Sequence, residues 1–137
     1  MTNSFNDQVI AEFRANGGKV GGPFEGNEHM IVITTTGAKT GRAITNPLVY
    51  LPDGDRIVLI ASNGGADKHP AWYYNLIANP EVVVELPTGT FSSKAVLVDE
   101  PERTRLYDRM VEQLPGFAEY RDKTSRVIPV FAIDRVN

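Results

Sequence analysis

From Ile31 onward the chain is cut into short runs rich in β-branched residues, each bounded by turn signals, and within 31–61 and within 81–98 successive runs follow one another too closely for a helix to fit between them. Parallel neighbours need a crossover of about a dozen residues or more, so closely linked strands must run antiparallel. Residues 31–36, 44–51 and 56–61 read as three such strands, with Pro52, Asp53, Gly54 and Asp55 supplying an Asp-Gly turn between the second and third. Residues 81–86 and 90–98 read as a hairpin around Pro87, Thr88 and Gly89, and residues 126–133 as a last strand.

Helical spacing appears in three places. Phe5, Val9 and Phe13 recur every fourth residue near the start, and Gly17 and Gly18 end that segment, so residues 1–18 are expected to hold an amphipathic helix. Pro70 suits the first turn of a helix running to about Ala78, where Asn79 and Pro80 stop it. Pro101 opens another, with Leu106, Met110 and Leu114 on one stripe, giving one or two helices before the last strand. Residues 19–29 read as a loop. About six antiparallel strands with inserted helices predict an α+β, barrel-like fold rather than a doubly wound sheet.

A chain of 137 residues is expected to form one domain, residues 1–137. A formal net charge of -3 disfavours a protein devoted to nucleic acid, since such domains are usually basic, and any anion site must be local. The absence of cysteine excludes disulfides, thiolate catalysis and Cys-ligated metals. The first residues carry neither a basic start nor the apolar run of a signal peptide, which makes the cytoplasm the expected location.

The segment TTTGAKTGRAITNPLVY, residues 34–50, sets Lys39 and Arg42 among glycines at a hairpin turn. It is not a phosphate loop of the GxxxxGK[ST] kind, because the first glycine would fall at Ile33 and a strand follows. Gly37 and Gly41 nevertheless let backbone N–H groups approach an anion, while Lys39, Thr40 and Arg42 add charge and a hydroxyl. A solvated hairpin turn accounts for the same residues. The second cluster, SNGGADKHPAWYYN at 62–75, offers small polar groups at Ser62 and Asn63, the start of a helix, and the flat rings of Trp72 and Tyr73. The pair suits a ligand with an anionic tail and a planar ring system.

Residues 31–134 resemble the deazaflavin-dependent nitroreductase and quinone reductase family in the TTxGxKTG, NPL, SxGG and HPxWYxNLxANP segments. The resemblance implies a split β-barrel core over 31–134, reduced coenzyme F420 as hydride donor, and a quinone acceptor, with nitroaromatics as a second class. It places Lys39, Thr40, Gly41, Arg42 and Ala43 at the coenzyme's phosphate and glutamate tail. Ser62 and Asn63 would lie near the tricyclic ring, Ala71, Trp72, Tyr73 and Asn75 along the flanking helix, and Pro47 in the same cleft. Asn63 stands where some relatives have a lysine. Of the tyrosine run that nitroreducing members carry beside the substrate, Tyr120 alone is kept, which favours quinones.

Because a deazaflavin carries its own hydride, the protein needs to bind, orient and polarise rather than supply a nucleophile, and no catalytic residue is assigned. Ser62 or Tyr120 would hydrogen-bond the acceptor oxygen as charge develops there, and water would serve equally as proton source. Phe5, Val9, Phe13, Phe117 and Tyr120 are expected to form the apolar edge of the acceptor pocket, the N-terminal helix folding over it as a lid. Packing on the domain and contact with a membrane surface are the other readings of that helix. His29 reads as a loop residue, His69 as shaping a helix start, and Glu81 and Glu85 as a solvated strand edge; no metal motif is present. A flavin mononucleotide (FMN) oxidase of the same barrel type and a non-enzymatic deazaflavin carrier remain alternatives, and a homodimer is compatible with everything above.

Overall fold

A computed structural model describes residues 4–21 and 29–134, with the backbone alone for residues 4 and 5. The elements run α1 (Ser4–Ala15), β1 (Met30–Thr36), β2 (Ala43–Val49), β3 (Leu51–Asp53), β4 (Arg56–Ile60), a 3-10 turn (Asn63–Gly65), α2 (Ala71–Ala78), β5 (Glu81–Leu86), β6 (Gly89–Leu97), α3 (Glu102–Gln113), α4 (Gly116–Lys123) and β7 (Val130–Asp134). The strands form one antiparallel sheet in the order β2-β1-β5-β6-β7-β4-β3.

Tyr50 alone separates β2 from β3, yet these strands stand at opposite ends of that order. The sheet must therefore curl until its ends meet, and the fold is an α+β split barrel. This curl is also why the run 44–51 is two strands and not one. The chain leaves the β1 ladder at Val49 and joins the β4 ladder at Leu51, with the Tyr50 N–H held by the His29 carbonyl at 2.9 Å. Pro47 sits in β2 opposite Val32. The terminal place of β2 in the order suits a residue that has no N–H to give a further neighbour.

Alternation along the central strands sends side chains to two different cores. Ile31, Ile33, Ile57, Leu59, Phe131 and Ile133 fill the barrel interior together with Trp72 and Leu76 of α2. The intervening Val58, Ile60, Val130 and Ala132 face outward, where Leu106, Tyr107 and Met110 of α3 cover them. On β1 the outward Met30 and Val32 are covered by Val9, Ile10 and Phe13 of α1. Strands buried on both faces read as unbroken apolar runs, which is how residues 31–33 and 57–60 looked in the sequence.

Two expectations need correction. The last strand begins at Val130 rather than Arg126: its ladder with β4 starts at the Ile60–Val130 pair, Pro129 before it has no N–H to give, and the side chains of Thr124 and Arg126 turn to the segment after β4. Glu85 is not on an edge: β5 lies between β1 and β6, and the Glu85 carboxylate is gripped by the Arg14 guanidinium at 2.9 and 2.8 Å. Two separate helices, α3 and α4, precede β7. Residues 22–28 of the loop expected at 19–29, and the side chain of Phe5, lie outside the described residues.

Candidate functional site

The hairpin turn between β1 and β2 is wound tightly around Gly37, whose N–H bonds the Arg42 carbonyl at 2.8 Å and whose carbonyl accepts from the Gly41 N–H at 2.9 Å. A Cβ on Gly37 would stand 2.7 Å from the Thr40 hydroxyl and 3.2 Å from Ile44 Cδ1, so any larger residue would have to displace those side chains. The turn is tied to α2 by one buried side chain: Asn75 accepts from the Ala38 N–H at 2.9 Å through Oδ1 and donates to Thr35 Oγ1 at 3.1 Å through Nδ2. Neither the Lys39 ammonium nor the Arg42 guanidinium forms an ion pair among the described residues. Both charges stand exposed.

After β4 the chain makes a second unusual turn. Asn63, Gly64 and Gly65 have φ of 49, 64 and 84°, a left-handed run that glycine adopts freely and asparagine tolerates. The Asn63 side chain closes the loop by donating to the Lys68 carbonyl at 3.1 Å. Gly65 lies against α4, where an added Cβ would meet the backbone of Tyr120 at 3.0 Å. This approach brings the Ser62–Gly65 turn and the aromatic residues of α4 to one place.

Between them lies a cleft of about 480 Å³ whose walls include Pro47, Ser62, Asn63, Trp72, Phe117 and Tyr120. Leu114, Pro115 and Gly116, the link from α3 to α4, complete it, and the rings of Phe117 and Tyr120 meet edge to face with centroids 5.1 Å apart. The Tyr107 hydroxyl, buried beneath, donates to the Phe117 carbonyl at 2.6 Å and fixes the start of α4; burial pushes its pKa up. A second cleft of about 450 Å³ holds Lys39, Thr40, His69, Ala71, Tyr74 and Asn75. Pro70 lines the first cleft and Ala71 the second, so the two adjoin at the start of α2.

The expected site residues therefore divide. Pro47, Ser62, Asn63, Trp72, Phe117 and Tyr120 share one cleft, and Lys39, Thr40, Ala71 and Asn75 the other. Gly41 and Arg42 complete the turn without lining either, and Ala43 borders a separate hollow on the outer sheet face with Thr34, Thr36 and Lys94. Tyr73 instead packs its ring on His69 at 4.2 Å and against Phe131. Val9 and Phe13 do not join Phe117 and Tyr120 at one apolar edge. They are buried with Met30 and Val32 on the outer face of β1, because the outward side chains of that strand need an apolar cover. The sequence reading did not assign Leu48, Val49, Ile60, Pro115 or Gly116 to the cleft, nor any role to Arg126, whose partners lie about sixty residues away. Among the described residues no group of His, Asp and Glu could hold a metal ion. No helix among them is long and apolar enough to cross a membrane.

The cleft pair suits the group that the motifs imply: an apolar, aromatic-walled space for a planar ring, joined to one bearing an uncommitted ammonium for an anionic tail. Comparison with known proteins agrees. The model of the F420H(2)-dependent quinone reductase family matches residues 6–134. An F420H(2)-dependent quinone reductase of Mycobacterium tuberculosis (strain ATCC 25618 / H37Rv) is 35% identical over 128 residues, covering 91% of this chain and 86% of its own. Among solved structures, an F420-H2 dependent reductase (FDR-A) superposes with a TM-score of 0.71 at 38% identity, over 77% of this chain and 93% of that one. Another, described as a domain-swapped dimer, superposes with a TM-score of 0.72 at 37% identity, over 79% and 81%. This chain belongs to the F420H(2)-dependent quinone reductase family, and is by that membership an enzyme that uses reduced coenzyme F420.

Proposed function

We propose that the chain reduces a small apolar quinone, with the deazaflavin ring and the acceptor in the Phe117/Tyr120 cleft and the coenzyme's anionic tail in the Lys39 cleft. The observation that carries this reading is the adjacency of the two clefts at the start of α2, one aromatic and one bearing an ammonium with no ion pair among the described residues. The chemistry that the coenzyme supplies when bound is hydride donation from its reduced ring.

The remaining work falls to side chains already described. Lys39 and the positive end of α2 attract the tail phosphate and carboxylates, with Arg42 adding charge from the same turn. Pro47, Trp72 and Phe117 offer flat apolar surface that excludes water from the reacting faces. The hydroxyls of Ser62 and Tyr120 are the donors available to the acceptor oxygen as negative charge grows there. Nitroaromatics are a second acceptor class within this reading, disfavoured by the single tyrosine at this wall. A single folded domain and a homodimer also belong to it, the latter supported by the relative described as a domain-swapped dimer.

The test mixes the purified chain with reduced coenzyme and a menadione-like quinone and follows reoxidation of the deazaflavin, with NADPH and reduced FMN as control donors. Turnover from the deazaflavin alone is expected. Tight coenzyme binding without turnover of any quinone would identify a carrier, and flavin retained through purification would identify an FMN enzyme; either result overturns the proposal.

A further inference from the structure

Ser62 to His69 connects β4 to α2 and presents residues to both clefts, yet it holds little regular structure and includes three consecutive positive φ values. From behind, one side chain makes more bonds to it than any other among the described residues. Arg126 donates from Nε to the Ala66 carbonyl at 2.8 Å, from Nη2 to the Ser62 carbonyl at 2.7 Å, and from Nη1 to the Ala61 carbonyl at 3.2 Å. Nη1 also lies 3.0 Å from His69 Nδ1. Arg126 lines neither cleft and forms no ion pair among the described residues; three backbone carbonyls and one imidazole are its side-chain partners there. Thr124 reinforces the arrangement, donating to Asp67 Oδ1 at 2.9 Å while accepting from the Arg126 N–H at 3.2 Å.

The contact with His69 has a chemical consequence. A guanidinium can only donate, so this contact is a hydrogen bond when His69 Nδ1 accepts, which requires the neutral ring with its proton on Nε2. The groups around that ring point the same way. Arg126 faces it from the segment before β7, Tyr73 and Tyr74 of α2 flank it with centroids at 4.2 and 5.8 Å, and Lys39 of the β1–β2 turn shares its cleft. Among the described residues no carboxylate lines that cleft. Burial, and then the Arg126 charge, hold the His69 pKa below the ordinary imidazole value.

We propose that Arg126 is a positioning residue of the coenzyme site: its guanidinium shapes the Ser62–Gly65 turn from behind and fixes His69 as a neutral Nε2–H ring at the wall of the Lys39 cleft. The coenzyme clause rests on the function proposed above; the His69 clause does not. In this arrangement His69 offers a hydrogen bond to an anionic tail across the physiological pH range without adding a titrating charge. Without Arg126 the ring loses the neighbouring charge that opposes its protonation, while burial still acts on it, so it protonates more readily and then places a cation beside the cleft.

Two measurements test this. In the ligand-free wild-type chain, nitrogen-15 NMR of His69 should show an unprotonated Nδ1 and a protonated Nε2 from pH 5.5 to 8. A protonated Nδ1, or a midpoint at or above about 6.5, overturns the proposal. Next, coenzyme dissociation constants are compared for Arg126→Gln and wild type across the same range. The variant should bind about tenfold more weakly at pH 8, having lost several charged hydrogen bonds to the loop. That ratio should shrink to about threefold at pH 5.5, as the released His69 gains its proton. A ratio near one, or a ratio that does not change with pH, overturns it. Should the glutamine variant fail to fold, Arg126→Lys keeps the charge and loses the planar fan, and is expected to weaken binding at every pH while leaving His69 neutral. Failure of the wild-type chain to bind the coenzyme would sink the proposed function, and with it the coenzyme clause, while the NMR result still decides the state of His69.

Discussion

Replacing Asn75 by alanine should damage stability and coenzyme binding together, because one buried amide joins the two sequence clusters. Its Oδ1 takes the Ala38 N–H and its Nδ2 reaches Thr35 Oγ1, at 2.9 and 3.1 Å, and the residue is 5% exposed. A net contribution of about 0.5–1.5 kcal/mol per hydrogen bond gives a loss of about 1–3 kcal/mol. The lower half is favoured at Ala38, which is exposed and can turn its N–H to water. With an unfolding entropy of about 2.1 cal/mol/K per residue, each kcal/mol lost lowers the Tm of a chain of this length by about 3.5 °C. The expected fall is therefore about 4–10 °C by calorimetry. Thr35→Val, which removes one of the two bonds and lies outside the Lys39 cleft, should cost about half as much, and the double variant less than the two singles together, since they share a bond. Coenzyme affinity should fall about three- to tenfold in Asn75→Ala, because the turn bearing Lys39 loses its tie to α2. A Tm within 1–2 °C of wild type together with unchanged affinity would refute the argument that this amide couples the turn to the helix.

Lys39→Ala and Arg42→Ala should each weaken coenzyme binding by about 1–3 kcal/mol, more at low salt, with little change in Tm because both side chains are exposed on a turn; unchanged binding by titration calorimetry would return the turn to a merely solvated one. Phe13→Ala should lower stability by about 3–5 kcal/mol in urea titration while leaving the KM for quinone as it was, since the ring is buried on β1 and not in the acceptor cleft; a raised KM without loss of stability would restore the lid. Asp53 is held by Arg56 and Arg109, and hydrogen bonding to Arg56 does most to lower its pKa. A carboxyl with a lowered folded pKa contributes stability above the unfolded value of about 3.9, and that contribution disappears as pH falls through the folded one. The Tm gap between wild type and Asp53→Asn should thus be constant from about pH 5 to 8 and close below about pH 4; a gap that persists at acid pH would mean the loss is not electrostatic.

Local chemistry was open to reading in the chain alone. The Asp53-Gly54 turn, the ends of α2 at Pro70 and Asn79, and the Gly17-Gly18 stop after α1 all depend on the backbone preferences of a few adjacent residues. The GAKTGR and SNGG segments were equally visible, because an uncommon cluster of glycine with charge or amide needs no partner to be noticed. Together with the helix motif between residues 69 and 80 they carried the family and its coenzyme. Tertiary structure decided everything that depends on closing the sheet. Only the curl of the barrel explains why the apolar run 44–51 breaks at Tyr50, and why Glu85 meets Arg14 and not solvent. The face of α1 was legible as apolar, but what it covers was not: Phe13 found the outward residues of β1, while Phe117 and Tyr120 turned to the cleft. Arg126 is the clearest case, since nothing in the residues around it announces four partners between Ala61 and His69. Turn and cap preferences are set within about four residues along the chain, whereas a contact spanning sixty exists only once the sheet has closed and brought its ends together.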